Sequence, residues 1–139
     1  RSVMIPFTDD MAEALAAADL VVGRAGASSL AEITAVGRAS ILMPYPHHKD
    51  QHQVANARCL VRATAARIVH DRIDPAVNGP ALREAFEQLM VRDEDREAMA
   101  AAAARIGRGQ AASEIADRIV RLANAHGTLR SRESLETLC

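Results

Sequence analysis

The stretch Leu20-Val21-Val22-Gly23-Arg24-Ala25-Gly26-Ala27-Ser28-Ser29-Leu30-Ala31-Glu32 decides how this chain folds. Three apolar residues end in a glycine and are followed by small residues. A helical pattern then runs from Ser28 or Ser29 to about Gly37. Strand, tight turn and helix in that order make up half of a βαβ unit. The same rhythm recurs on both sides. Upstream, Val3-Met4-Ile5 reads as a strand, and Asp9 or Asp10 as the cap of a helix over Met11 to Ala18. Downstream, Ile41-Leu42-Met43 is a strand stopped by Pro44. A polar loop, a helix from about Gln51 to Thr64 and a strand at Arg67-Ile68-Val69 follow. Strands that are short, apolar on both faces and separated by single helices predict a parallel sheet covered on both sides, with right-handed crossovers.

After Asp71 the strand signals stop. Asn78-Gly79-Pro80 reads as a helix start with Pro80 in the first turn, and Leu82, Phe86 and Leu89 follow at helical spacing. Another helix is expected from about Asp93 to Ile106, broken by Gly107 and Gly109. Ile115, Ile119 and Leu122 mark one face of a last helix, and beyond His126 the chain is polar and patternless, so disorder is expected there. The expected class is α/β. A Rossmann-like segment covers residues 1–74, helices of the same domain cover 75–125, and 126–139 form a tail.

Composition narrows the function classes. At 139 residues, 49% hydrophobic and 25% charged, the chain suits one soluble globular domain. Aromatic residues make up only 2%, so close helix-on-sheet packing through alanine is expected. A formal net charge of −1 gives no electrostatic case for nucleic-acid binding. No apolar run approaches the roughly 20 residues that span a bilayer. Cys59 and Cys139 form neither a disulfide framework nor a metal cluster, which makes a reducing cytoplasmic setting the default. Cys59 is expected to be buried and inert. The chain opens at Arg1 inside a strand-like run and is expected to be a portion of a longer protein.

Three groups of residues have candidate chemistry. Gly23 to Ser29 joins a strand to a helix, where small residues allow backbone N–H groups to approach a ligand and the helix start supplies unpaired donors. An ordinary tight βα turn and an anion site both fit this pattern. Ser29-Leu30-Ala31-Glu32 matches a capping box, which by local pattern is the favoured role of Glu32. The alternative is a carboxylate that accepts both hydroxyls of a ribose diol. After the third strand, His52, Gln53 and Asn56 sit at a polar rim where neutral donors and acceptors suit sugar hydroxyls; a solvated loop with an exposed helix start fits them equally. His48 and His52 are four apart, but no third ligand is evident, so no metal is expected. No nucleophile–base pair is visible.

Taken together, Phe7-Thr8-Asp9-Asp10-Met11, Ala18-Asp19-Leu20-Val21-Val22, Arg24-Ala25-Gly26-Ala27 with Glu32-Ile33, Pro44-Tyr45-Pro46, and Asp50-Gln51-His52-Gln53 with Asn56-Ala57 resemble the peptidoglycan N-acetylglucosaminyltransferases of glycosyltransferase family 28. The likeness covers about residues 1–125 and is strongest up to Asn56. It implies part of the carboxy-terminal domain of a GT-B fold, in which two Rossmann-like domains face a cleft. It also implies transfer of N-acetylglucosamine from UDP-N-acetylglucosamine to a lipid-linked muramoyl-pentapeptide, with no cofactor. By resemblance, Glu32 takes the ribose, and the backbone near Thr8 meets uracil between Phe7 and Met11. Ala27, Ser28 and Ser29, with Arg24 and Gly26, lie at the pyrophosphate and sugar. His52, Gln53 and Asn56 face the sugar hydroxyls. Where the family often has two adjacent glutamines, this chain has His52-Gln53, so sugar specificity is less firmly implied than UDP binding. The resemblance places the acceptor site and the catalytic base in an amino-terminal domain that these residues lack, so the isolated residues are expected to be soluble and inactive. The parent is expected to be peripheral at the cytoplasmic face of the bacterial inner membrane. Rival readings are another GT-B transferase, a UDP-N-acetylglucosamine 2-epimerase, and a non-catalytic donor-binding subunit of a split transferase.

Overall fold

The structure is a computed structural model that describes residues 2–47 and 51–125. The expected disorder of the tail concerns residues outside that set. The elements, in chain order, are α1 (Met11–Ala17), β1 (Val21–Gly23), α2 (Ala27–Val36), β2 (Ser40–Leu42), α3 (His52–Arg62), β3 (Arg67–Ile68), α4 (Pro75–Val91), α5 (Asp93–Ile106) and α6 (Ala111–Ala125). The chain divides into a compact unit up to Arg108 and a second unit from Gly109, which contains α6.

The three strands form one parallel sheet in the order β1-β2-β3, with Val22 opposite Ile41 and Leu42 opposite Ile68. The central strand shows why the expected α/β class holds. Ser40, Ile41 and Leu42 are fully buried. Successive strand side chains point to opposite faces. Accordingly, Leu42 joins a core with Leu15, Leu30, Ile33, Ala57, Leu60, Ala102 and Ala103, whereas Ile41 joins a second core with Val69, Ala85 and Leu89. One face is thus covered by α1, α2, α3 and α5, and the other chiefly by α4.

Small residues bring the helices close together. Gly37 ends α2 in the left-handed region (φ 69), with Gly37 N–H donating to Thr34 O and Arg38 N–H to Ile33 O. This is a Schellman closure. A Cβ at Gly37 would lie 2.9 Å from Ala104 Cβ, and one at Gly107 only 2.1 Å from Thr34 O. The ends of α2 and α5 therefore approach to backbone distance, and the alanine-rich composition serves that contact.

Several expectations are corrected. Val3-Met4-Ile5 is not a strand. It is irregular and exposed, because among the described residues it finds no ladder partner. The helix expected to start at Asn78-Gly79-Pro80 begins a turn earlier. The Asp74 carboxylate accepts from Ala76 N–H, Pro75 takes the first-turn position, and Pro80 lies inside the helix. Asp10 stands at the N-cap of α1 without a side-chain cap; instead its own N–H donates to Thr8 Oγ1. Cys59 is exposed, since α3 turns Ala57 and Leu60 to the core and leaves Cys59 off that face. No helix among the described residues is long and apolar enough to cross a membrane.

Candidate functional site

Arg24, Gly26 to Ser29, Gln53 and Asn56 lie where the chain leaves β1 and β2 at their carboxyl ends, where open parallel sheets present ligand-binding loops, whereas Met11 and Glu32 lie on α1 and α2. Gly26 is the N-cap residue of α2, and no side chain caps the helix. Ser29 therefore lies within the first turn, Glu32 lies further along the exposed surface, and the capping box expected from Ser29 and Glu32 does not form. The pattern misleads because the helix starts at Ala27, two residues before the serine that the box requires as its cap. Leu30 N–H is the first to find an intrahelical acceptor, Gly26 O. The N–H groups of Ala27, Ser28 and Ser29 belong to the orphan set at a helix start, which carries the positive end of the dipole. Gly26 has an ordinary φ of −66, and a Cβ there would meet only Ser29 Oγ at 3.9 Å. The protein's own packing therefore does not require glycine at this position. Its effect is to keep the approach to these donors open.

Met11 and Glu32 share a cleft. A cavity of about 270 Å³ is lined by Met11, Ala12, Leu15, Glu32, Ala35 and Val36. Its walls are apolar apart from the Glu32 carboxylate. An apolar slot with one acceptor that takes two hydroxyls suits part of a nucleoside. Phe7 and Thr8 precede α1 and do not line this cleft; Phe7 is exposed.

The turn before α2 is held by α3. Gln53 Oε1 accepts from Ala25 N–H at 3.3 Å and from Tyr45 N–H at 2.9 Å, and Asn56 Nδ2 donates to Ala25 O at 3.2 Å. Both backbone groups of the fully buried Ala25 are thus satisfied by α3 side chains. Two N–H donors fix which end of the Gln53 amide is oxygen. His52 opens α3 and is exposed. His48 lies outside the described residues. Among the described residues, no group of three or more His, Cys, Asp or Glu side chains could hold a metal ion.

Arg24 forms a third feature. Its Nη1 donates to Asp71 Oδ2 at 2.6 Å and to Met43 O at 3.1 Å, and its guanidinium lies 5.7 Å from the centre of the Tyr45 ring. Asp71 also accepts from Ile73 N–H and from Asn78 Nδ2. The Arg24 hydrogen bond, then those from Ile73 and Asn78, lower the Asp71 pKa from 3.8 to about 2, against a smaller opposing effect of burial. The reading of the sequence missed Asp71. The available signal was an acidic residue three positions after a parallel strand.

Residues 1–119 match the glycosyltransferase family 28 C-terminal domain. A protein of Anaeromyxobacter sp. (strain K), named UDP-N-acetylglucosamine--N-acetylmuramyl-(pentapeptide) pyrophosphoryl-undecaprenol N-acetylglucosamine transferase, is 49% identical over 111 residues, which is 80% of this chain and 28% of that protein. One of the same name from Sorangium cellulosum (strain So ce56) is 45% identical over 132 residues, 94% of this chain and 32% of the relative. The crystal structure of Acinetobacter baumannii MurG superposes with a TM-score of 0.72 at 34% identity, covering 84% of this chain and 33% of that one. The chain thus spans about a third or less of the length of these relatives. By sequence, and by a fold similar to that of a solved relative, the chain belongs to the glycosyltransferase family 28 C-terminal domain family.

Proposed function

We propose that these residues are the donor-binding part of a hexosyltransferase that moves N-acetylglucosamine from UDP-N-acetylglucosamine to undecaprenyl-pyrophosphoryl-N-acetylmuramoyl-pentapeptide, the step from lipid I to lipid II in peptidoglycan synthesis. The observation that carries this reading is the uncapped first turn of α2 beside a cleft that holds the Glu32 carboxylate. The names of relatives at 45–49% identity support the same substrates.

In this reading the uracil meets the backbone near Thr8, flanked by Phe7 and Met11. The ribose diol donates to Glu32. The diphosphate lies across the N–H groups of Ala27, Ser28 and Ser29, and Arg24 adds positive charge nearby. As the glycosidic bond breaks, negative charge develops on the departing diphosphate. Preorganised donors and the helix dipole are strongest where such charge appears, so no metal is needed for this part of the chemistry. His52, Gln53 and Asn56 line the sugar side, with the Gln53 amide nitrogen as donor. The base that takes the proton of the acceptor hydroxyl comes from outside these residues, as does the acceptor site. A polyprenyl-linked acceptor places the reaction at the cytoplasmic surface of the membrane, which the protein meets peripherally.

The test is a radiolabelled sugar-transfer assay with UDP-N-acetylglucosamine and a short-chain lipid acceptor, run on the full-length protein and on residues 1–139. Product from the full-length protein alone is the expected result. Turnover with a different acceptor and none with this one would reassign the substrate.

A further inference from the structure

One carboxylate outside the donor-contacting set is committed to the loops themselves. Asp71 lies just beyond β3 with its side chain only 9% exposed. Its Oδ2 takes Arg24 Nη1 at 2.6 Å, and its Oδ1 takes Ile73 N–H at 2.8 Å and Asn78 Nδ2 at 2.7 Å. The same Arg24 nitrogen donates to Met43 O. Arg24 follows β1, Met43 follows β2 and Asp71 follows β3. One guanidinium nitrogen therefore ties together the chain beyond the carboxyl ends of all three strands. The turn that presents Asp71 is held against backbone preference. Ile73 has a φ of 63, a left-handed conformation that a β-branched residue adopts only where its surroundings impose it. Asn78 locks the turn from the other side, because its Oδ1 accepts from Arg72 N–H.

We propose that Asp71 is a positioning residue for the donor site: through Arg24 it fixes the turn after β1, and with it the open first turn of α2 that receives the diphosphate. The inference rests on the UDP-sugar reading above. Arg24 stands two residues before Gly26, the N-cap of α2, and Ala25 between them is gripped by Gln53 and Asn56. Freeing Arg24 loosens one end of a short segment whose other end starts the anion-binding turn. A direct electrostatic role would have the opposite sign. A carboxylate near a diphosphate repels it, so its removal would tighten binding. Positioning predicts that removal weakens binding.

The experiment measures dissociation constants for UDP, UMP and uridine on the full-length protein, together with melting temperatures. The unsubstituted protein is compared with Asp71→Asn and Asn78→Ala. For Asp71→Asn, we expect UDP binding to weaken roughly tenfold, the scale of one charge-assisted hydrogen bond. Asn78→Ala keeps both charges and should weaken UDP in the same direction by a smaller factor. Uridine affinity should stay unchanged in both, whereas general loosening of the fold would reduce uridine and UDP binding equally. UDP affinity that is unchanged or increased in Asp71→Asn, or an equal loss on uridine, would overturn the proposal. If Asp71→Asn melts below the assay temperature, Asn78→Ala decides alone, and unchanged UDP affinity there would also overturn it. If the unsubstituted protein bound none of the three compounds, the donor reading itself would fall, and this inference with it.

Discussion

Gln53 Oε1 accepts hydrogen bonds from the backbone N–H groups of both Ala25 and Tyr45, so one side chain joins the loops that follow β1 and β2. Ala25 is fully buried, and its N–H has no water to turn to. Truncating Gln53 to alanine leaves that donor unpaired, at a cost of about 1–3 kcal/mol. Urea denaturation of Gln53→Ala should show a loss of this size. Gln53→Glu keeps an acceptor for both N–H groups and should recover most of the stability; under the proposed function it should not recover sugar affinity, because it removes the amide donor assigned there to the sugar.

Helix-to-helix approach is the basis of a second prediction. A Cβ at Gly107 would sit 2.1 Å from the Thr34 carbonyl oxygen, and backbone cannot rotate aside as a flexible side chain can. Gly107→Ala should destabilise by about 1–3 kcal/mol through forced separation of α2 and α5. Gly109→Ala, where a Cβ meets nothing within 4 Å, is the matched control and should melt near the parent temperature. Differential scanning calorimetry on the three proteins tests both expectations.

Acid sensitivity follows from Asp71. Its folded pKa is lowered to about 2, first by Arg24, from a usual 3.8. A depressed carboxylate stabilises the fold fully above its unfolded pKa, and that contribution is lost as pH falls through the folded value. The Asp71 contribution should therefore be constant above about pH 4 and disappear between there and about pH 2. Urea midpoints measured from pH 2 to pH 6 should fall less steeply at the acid end for Asp71→Asn than for the parent. Parallel profiles would mean that the pair is not formed in solution.

Much of the sheet was legible because its signal is local. Val21-Val22, Ile41-Leu42 and Ile68-Val69 are short apolar runs between helices, and the pattern places all three strands in one parallel sheet, of which only the central strand is buried on both faces. Val3-Met4-Ile5 shows the same composition, yet pairing depends on a neighbour that no local pattern reveals. Pro80 drew the helix start too late because two prolines compete, and only the Asp74 side chain, which caps Ala76 N–H, distinguishes them. Glu32 read as a cap from its spacing to Ser29, and the outcome turned on which residue begins the helix. Gln53 and Asn56 were legible as polar residues at the rim. Their grip on Ala25, some thirty residues away in sequence, is a product of the crossover and has no local trace. Asp71 was hidden for the same reason.

The central claim is that Glu32 receives the ribose of a uridine nucleotide in the cleft it shares with Met11. The most direct measurement is calorimetric titration of UDP and of 2′,3′-dideoxy-UDP into the full-length protein and its Glu32→Ala variant. Two hydroxyls donating to one carboxylate, at roughly 1.5–3 kcal/mol per charge-assisted bond, predict that UDP affinity falls at least tenfold in the variant. The dideoxy compound should bind both proteins alike, since it has no diol to lose. UDP affinity that is the same with and without the Glu32 carboxylate would contradict the account.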